Sequence, residues 1–171
     1  MLTVTSTSDE TTDRILDAAY EELLHFGLKG ISIEDIAKRT GVARITIYRR
    51  FANKDDVLAA VALREGQRMF NKVDAAIDPS ASTEEQLVEG FAVMLSAVRS
   101  HPIIKRLVEV EPEVAASLHA THGATIIGFG REFVAARLGI APAVAEVMVR
   151  LSASFVISPT SSIPLKTNAD A

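Results

Sequence analysis

Arg44, Ile45, Thr46, Tyr48 and Arg49 lie within six consecutive positions, and together they offer guanidinium forks, two hydroxyls and a branched apolar side chain. These are recognition groups rather than bond-making ones. A guanidinium can fork onto O6 and N7 of guanine, a small apolar group can touch the thymine methyl, and Thr and Tyr hydroxyls suit phosphate oxygens. Other chemistries find little material. The chain has no cysteine, which removes disulfides and thiolate metal sites. It carries no Gly-x-Ser-x-Gly elbow and no glycine-rich phosphate loop after a strand, so nucleophilic catalysis and nucleotide binding lack their usual frames, and Gly128-Phe129-Gly130 is not a dinucleotide signature. Of the four histidines (His25, His101, His119, His122), only His119 and His122 stand three apart on one predicted helix. No third ligand follows at a diagnostic spacing, so neither a metal nor another cofactor is expected.

The elements that would carry the recognition groups can be read from apolar spacing. Ile33, Ile36 and Ala37 fall at i, i+3, i+4, and Ile47 with Phe51 repeats that spacing after a break at Thr40-Gly41. Two short helices meeting at an angle follow. Ser32 and Asp35 resemble a capping box, so the first helix starts near Ile33. Gly41 suits an exit through positive φ, and Val42 can plug the angle. With Ile47 and Phe51 inward, Ile45, Thr46, Tyr48 and Arg49 face outward or to the flanks and Arg44 occupies the exposed first turn. A solvated helical hairpin with chance charges would show the same apolar spacing.

Charge distribution bears on that choice. The 171 residues carry a net charge of −4, yet Leu28 to Lys54 holds seven Lys or Arg against Glu34 and Asp35, a local +5. Residues 1–27 hold six acids against Arg14, a local −5. Phosphate neutralisation needs only a local patch, so the acidic whole does not exclude a polyanionic partner.

Further helices follow the same periodicity, and no strand pattern or repeat interrupts them, which predicts an all-α fold. Residues 1–8 read as a disordered leader. A first helix runs from Asp9 or Glu10 to Phe26, with Ile15, Ala19, Leu23 and Phe26 on one stripe and Gly27 as stop, and it completes a three-helix domain over 9–53. A helical body spans 54–158. Its opening helix, 54–78, carries Val57, Leu58, Val61, Leu63, Met69 and Phe70, and Ser82 or Thr83 caps the next one, which runs through Leu87, Phe91, Met94, Leu95 and Val98 to His101-Pro102. A short helix from Ile103 to Val110 precedes a long one from Glu113 to Leu138, where Gly123, Gly128 and Gly130 interrupt a helical pattern. A kink, a close helix crossing or a pocket wall could account for them, and close packing is the first expectation. A last helix opens at Pro142, and 159–171 is a polar tail. The longest uncharged run, Val114 to Gly130, is too short and polar to span a bilayer, which predicts a soluble, cytoplasmic protein.

From Gly41 to Leu58 the string Gly-Val-Ala-Arg-Ile-Thr-Ile-Tyr-Arg-Arg-Phe-Ala-Asn-Lys-Asp-Asp-Val-Leu resembles the signature of the tetracycline-repressor (TetR) family of bacterial transcriptional regulators. The resemblance covers residues 10 to 60 strongly and the remainder only in architecture. It implies an N-terminal helix-turn-helix domain, joined by the 54–78 helix to a C-terminal ligand-binding and dimerisation domain. The implied DNA-facing set is Arg44, Ile45, Thr46, Tyr48, Arg49 and Arg50, with Ser32 counted beside them and Lys54 as a phosphate contact at a helix start. Ala43 departs from the Ser that often caps the recognition helix, and Ile45 stands where a small residue is frequent.

For the body, the resemblance implies a pocket, with Phe70, Phe91, Met94, His101, Leu118, His122, Ile126, Phe129 and Phe133 as candidate linings. It implies pairing with a second copy through the last two helices, and Val144, Val147, Met148, Leu151 and Phe155 are the candidate dimer face. The final family helix looks short or absent in this sequence. The resulting expectation is a non-enzymatic, ligand-responsive regulator, most simply a repressor. It would bind palindromic operator DNA as a homodimer and be released by a small apolar or amphipathic effector. A helical carrier, an enzyme or a protein-interaction module using the helix-turn-helix as scaffold stands as the alternative.

Overall fold

A computed structural model describes residues 10–157, with His119, Thr121, His122, Val156 and Ile157 described by backbone alone. The expected leader at 1–8, the tail at 159–171 and any helix beyond Ile157 lie outside the described residues. Within them the fold is all-α, as the periodicity predicts. The order is α1 (Glu10–Gly30), α2 (Ile33–Thr40), α3 (Arg44–Tyr48), α4 (Lys54–Ala76), α5 (Thr83–Ser100), α6 (Pro102–Val110), α7 (Pro112–Leu138) and α8 (Pro142–Ile157). Among the described residues no single helix is long and apolar enough to cross a membrane.

The chain divides into two compact units, one ending at Glu65 and the other starting at Gly66. The expected boundary at residue 53 therefore moves three turns into α4. The reason is packing, since Val57 and Val61 on the opening turns of α4 are almost fully buried with Ile15, Ala19 and Leu23 of α1, Ile33 and Ile36 of α2 and Ile47 of α3. Each buried branched aliphatic side chain contributes roughly 1.5–3 kcal/mol through removal of apolar surface from water. Phe26, expected on the α1 stripe, faces outward instead at 57% exposed, and Leu63 on the apolar pattern of α4 is 66% exposed. Gly27 does break α1, at φ 73° and ψ −178°, but the chain resumes helical turns as far as Gly30. The break redirects the chain after Phe26, which stays at the end of the straight segment and is exposed there.

In the second unit α7 packs along α8, and α5 lies against α6, α7 and α8. The α7–α8 pair is antiparallel: Arg131 Nη1 reaches Glu146 Oε2 at 3.3 Å while Gly130 faces Val149. Glu146 also accepts from Arg150, and donation first from Arg150 and then from Arg131 holds its carboxyl below the usual range. Ser82, not Thr83, caps α5 in a reciprocal capping box with Glu85. The Ser82 hydroxyl, and then its N–H, hold the Glu85 carboxyl low. A depressed carboxyl contributes stability that is present at neutral pH and lost as pH falls through the carboxylate range.

Of the three readings of the α7 glycines, a break in the helix is absent, because it runs continuously from Pro112 to Leu138 through all three. Gly130 has the packing role anticipated: a Cβ there would lie 2.9 Å from Val149 Cγ1 and 3.0 Å from Cγ2. Gly128 does not, since a Cβ there would meet nothing within 4 Å. Opposite signs are therefore expected from one chemical change. Gly130→Ala should destabilise by about 1–3 kcal/mol through overpacking, whereas Gly128→Ala should stabilise by up to ~1 kcal/mol through helix propensity. Urea unfolding of the two variants checks this, and a shared sign would refute the packing assignment.

Candidate nucleic-acid interface

The interface is assembled from the ends of helices, each fixed by a local cause. Ser32 adopts an extended conformation (φ −132°, ψ 156°) and its Oγ accepts from Asp35 N at 3.1 Å, which starts α2. Its hydroxyl is also hydrogen-bonded to the Asp35 carboxylate. The serine counted among the DNA-facing residues thus spends its side chain on the cap. Gly41 takes the left-handed conformation (φ 74°), and its N–H donates to Ala37 O at 2.9 Å, closing α2. Thr40 ties the turn from inside: its Oγ1 donates to Ile36 O at 2.9 Å and accepts from Val42 N at 3.3 Å.

Helix α3 is shorter than the spacing suggests and ends at Tyr48 rather than Phe51. Arg50 N and Phe51 N both donate to Ile47 O at 2.9 Å, so the last turn tightens before the chain leaves the helix. Ile47 is wholly buried, while Phe51 is only half-buried. Around Ile47 the outward set is as expected: Ile45 is 60% exposed, Tyr48 is 50% exposed, and Arg44 and Arg49 are exposed. Thr46 is half-buried at the flank. Ala43 precedes α3 with φ −68° and ψ 143° and provides no side-chain cap, so the first-turn N–H groups lack that acceptor.

The cations of the set divide by what they already hold. The Arg49 backbone N–H donates to Ile45 O at 3.0 Å, while its guanidinium makes no hydrogen bond or ion pair among the described residues. Arg44 Nη1 lies 3.4 Å from Glu34 Oε2. Arg50 is a bracket within the domain, its Nε donating to Thr12 Oγ1 at 3.2 Å and its Nη1 to Thr46 O at 3.3 Å. Lys54 opens α4, where Asn53 Oδ1 accepts from Asp56 N at 3.0 Å, and its Nζ donates to Ile31 O at 3.4 Å.

Several functional supports escaped the sequence reading because they join residues far apart in the chain. Glu22 is 4% exposed and accepts from Arg39 Nε at 2.6 Å, fixing α2 to α1. Arg14 Nη2 donates to Thr40 O at 2.7 Å, satisfying a carbonyl at the end of α2. Arg64 of α4 pairs with Asp17 of α1 at 2.8 Å. A buried acid such as Glu22 on an otherwise apolar stripe was the one available signal, since such a group requires a partner.

The other candidates lie in the second unit. Phe70 and Phe133 stack with centroids 4.3 Å apart, and Phe91, Met94, His101 and Leu118 are half-buried. Ile126 and Phe129 are each 61% exposed and do not line an interior pocket, which corrects their placement. Their periodicity marks an apolar face, and that face points outward. The His122 side chain lies outside the described residues. On α8, Val144, Val147 and Leu151 are about half exposed, whereas Met148 and Phe155 are half-buried.

Residues 15–61, which hold α2, α3 and the start of α4, match the model of bacterial regulatory proteins, tetR family. The HTH-type transcriptional regulator AlkX of Mycobacterium tuberculosis is 28% identical over 159 residues, covering 86% of this chain and 75% of that one. The fatty acid metabolism regulator protein of Bacillus subtilis is 32% identical over 74 residues, 43% of this chain and 38% of its own length. Among solved structures, the TetR family repressor AlkX of a Dietzia strain, implicated in biodegradation of n-alkanes, superposes with a TM-score of 0.67 at 21% identity, covering 92% of this chain and 89% of that one.

Two substitutions test the supports. Ala43→Ser supplies the missing acceptor at a backbone already extended, and should raise stability by ~1 kcal/mol. Arg39→Met leaves the buried Glu22 carboxylate without its donor and should lower stability by about 1–3 kcal/mol. Thermal melts of the two variants beside the parent read both effects, and an unchanged Arg39→Met midpoint would refute the second.

Proposed function

We propose that this chain, a DNA-binding transcriptional regulator of the tetR family, is a ligand-responsive repressor that binds a palindromic operator as a homodimer. The observation that carries the reading is the division around Ile47: one fully buried side chain anchors α3, while Arg44, Ile45, Tyr48 and Arg49 stand exposed around it. An α-helix presented this way fits the major groove of B-DNA, with Arg44 placed to fork onto a guanine edge and Ile45 to meet a thymine methyl. Arg49, Tyr48, Thr46 and Lys54 serve as phosphate contacts. Arg50 and Ser32 act by holding the helix ends, and their part in recognition is indirect.

One α3 covers only a few base pairs, so affinity and length of site call for a second copy. Two copies related by a twofold axis would address half-sites about 34–36 Å apart or multiples of this. Val144, Val147 and Leu151 on α8, with Ile126 and Phe129 on α7, provide the apolar surface for self-association within the second unit. The stacked Phe70–Phe133 pair and the half-buried Phe91, Met94 and Leu118 are the ligand-facing candidates. Their character favours a small apolar or amphipathic effector, in keeping with relatives named for fatty acid metabolism and n-alkane degradation. Release then requires only that the effector bind one conformation of the body better than the DNA-competent one.

Gel shifts on a selected duplex and a scrambled one, at two salt concentrations, test the contacts. Arg44→Ala should lose ~1–3 kcal/mol on the selected duplex and relax one base position. Lys54→Ala should weaken both duplexes alike and flatten the salt dependence of log K by about 0.9. Binding unchanged in both variants would overturn the assignment of these residues, and absence of any footprint on the gene's own upstream DNA would favour the scaffold reading instead. For the dimer, Val147→Glu should shift the light-scattering mass from that of two chains to that of one.

A further inference from the structure

One acid on the DNA-facing side has a reach that helix formation does not explain. Glu34 stands in the first turn of α2, where the helix N-terminus favours negative charge, but Asp35 already occupies that turn and completes the cap with Ser32. Glu34 extends across the shallow recess between α2 and α3, lined also by Ala37, Gly41 and Val42, and its Oε2 lies 3.4 Å from Nη1 of Arg44. Its Oε1 lies 3.8 Å from Lys38 Nζ. Both partners of the Arg44 pair are more than half exposed, so as a stability device the pair is weak.

Beside a polyanion the same pair acts differently. Phosphates attract a bare guanidinium at every sequence and repel a carboxylate, so a paired Arg44 offers little net charge to the DNA backbone. Its other N–H donors keep the planar fork that matches guanine O6 and N7. We propose that Glu34 is a specificity-determining residue, which holds Arg44 away from phosphates and yields it only where a guanine edge supplies two acceptors. The penalty against the wrong partner is thus built from an acid placed within the positive patch. This inference rests on the DNA-binding reading given above.

The test measures affinities for a duplex enriched from a randomised pool and for a scrambled duplex of the same composition, over a salt series. Glu34 is exposed, so Glu34→Gln should melt as the parent does. The variant should bind the scrambled duplex about fivefold tighter, the size of one exposed ion pair. Its salt dependence should steepen by about 0.9, as for one added phosphate contact, and the ratio between the duplexes should fall. In an Arg44→Ala background the same substitution should give a clearly smaller gain, left by the lost repulsion and the Lys38 contact alone. A parent that discriminates while Glu34→Gln leaves both affinities and the salt slope unaltered overturns the role of Glu34 alone. An equal gain in the Arg44→Ala background also overturns it, by assigning the effect to bulk charge. A parent that binds neither duplex overturns the DNA reading, and this inference with it.

Discussion

A helix of five residues cannot hold itself together, because nucleating the first turn fixes several dihedrals for a single hydrogen bond. Helix α3 exists because Ile47 is inserted, with no exposed surface, among the aliphatic side chains of α1, α2 and α4. Everything else in the first unit follows from that insertion. Gly41 must turn the chain sharply enough to deliver Ile47 to the core, and the tight bonds to Ile47 O must end the helix before Phe51. Arg50 then clamps the end to Thr12 and Thr46. The consequence for function is geometric. Side chains flanking one buried anchor on so short a helix have little freedom to drift, which is the condition for reading base edges by hydrogen bonds.

Polar groups in the same unit serve two distinct ends. Arg14, Arg39 and Arg64 spend their guanidinium groups inward, on Thr40 O, Glu22 and Asp17, and join three helices that share only a small apolar core. Arg49 and, through its ion pair, Arg44 remain at the surface. A basic patch counted from the sequence alone overstates the charge available to a partner, because several of its members are committed to the fold. What distinguishes the two groups is the helix that carries each guanidinium and the neighbouring helix it faces, neither of which composition records.

Much of the first unit was legible because its signals are local. Ser32, Asp35 and Gly41 specify helix ends through hydrogen bonds within four residues, and the spacing of Ile33, Ile36 and Ile47 identifies the buried face without reference to any distant segment. The pairings of Glu22 with Arg39 and of Arg14 with Thr40 span 17 and 26 residues, and no short-range rule links them. In the second unit the periodicity of Ile126 and Phe129 correctly marked an apolar face but could not say what covers it. Phe26 failed for a related reason: its spacing places it on the stripe, but spacing does not say where the cover over that stripe stops, and Phe26 is 57% exposed. The three glycines of α7 looked alike in sequence, yet Gly130 meets Val149 closely whereas Gly128 meets nothing, a difference set wholly by the neighbouring helix.

The seating of Val149 over Gly130 has a mechanical meaning as well. A branched side chain resting in the notch left by a missing Cβ behaves as a detent between two rods. Sliding α8 along α7 would carry Val149 out of that notch and onto the side chains of the adjoining turns. Small sliding displacements are therefore resisted, whereas rotation about the notch is not.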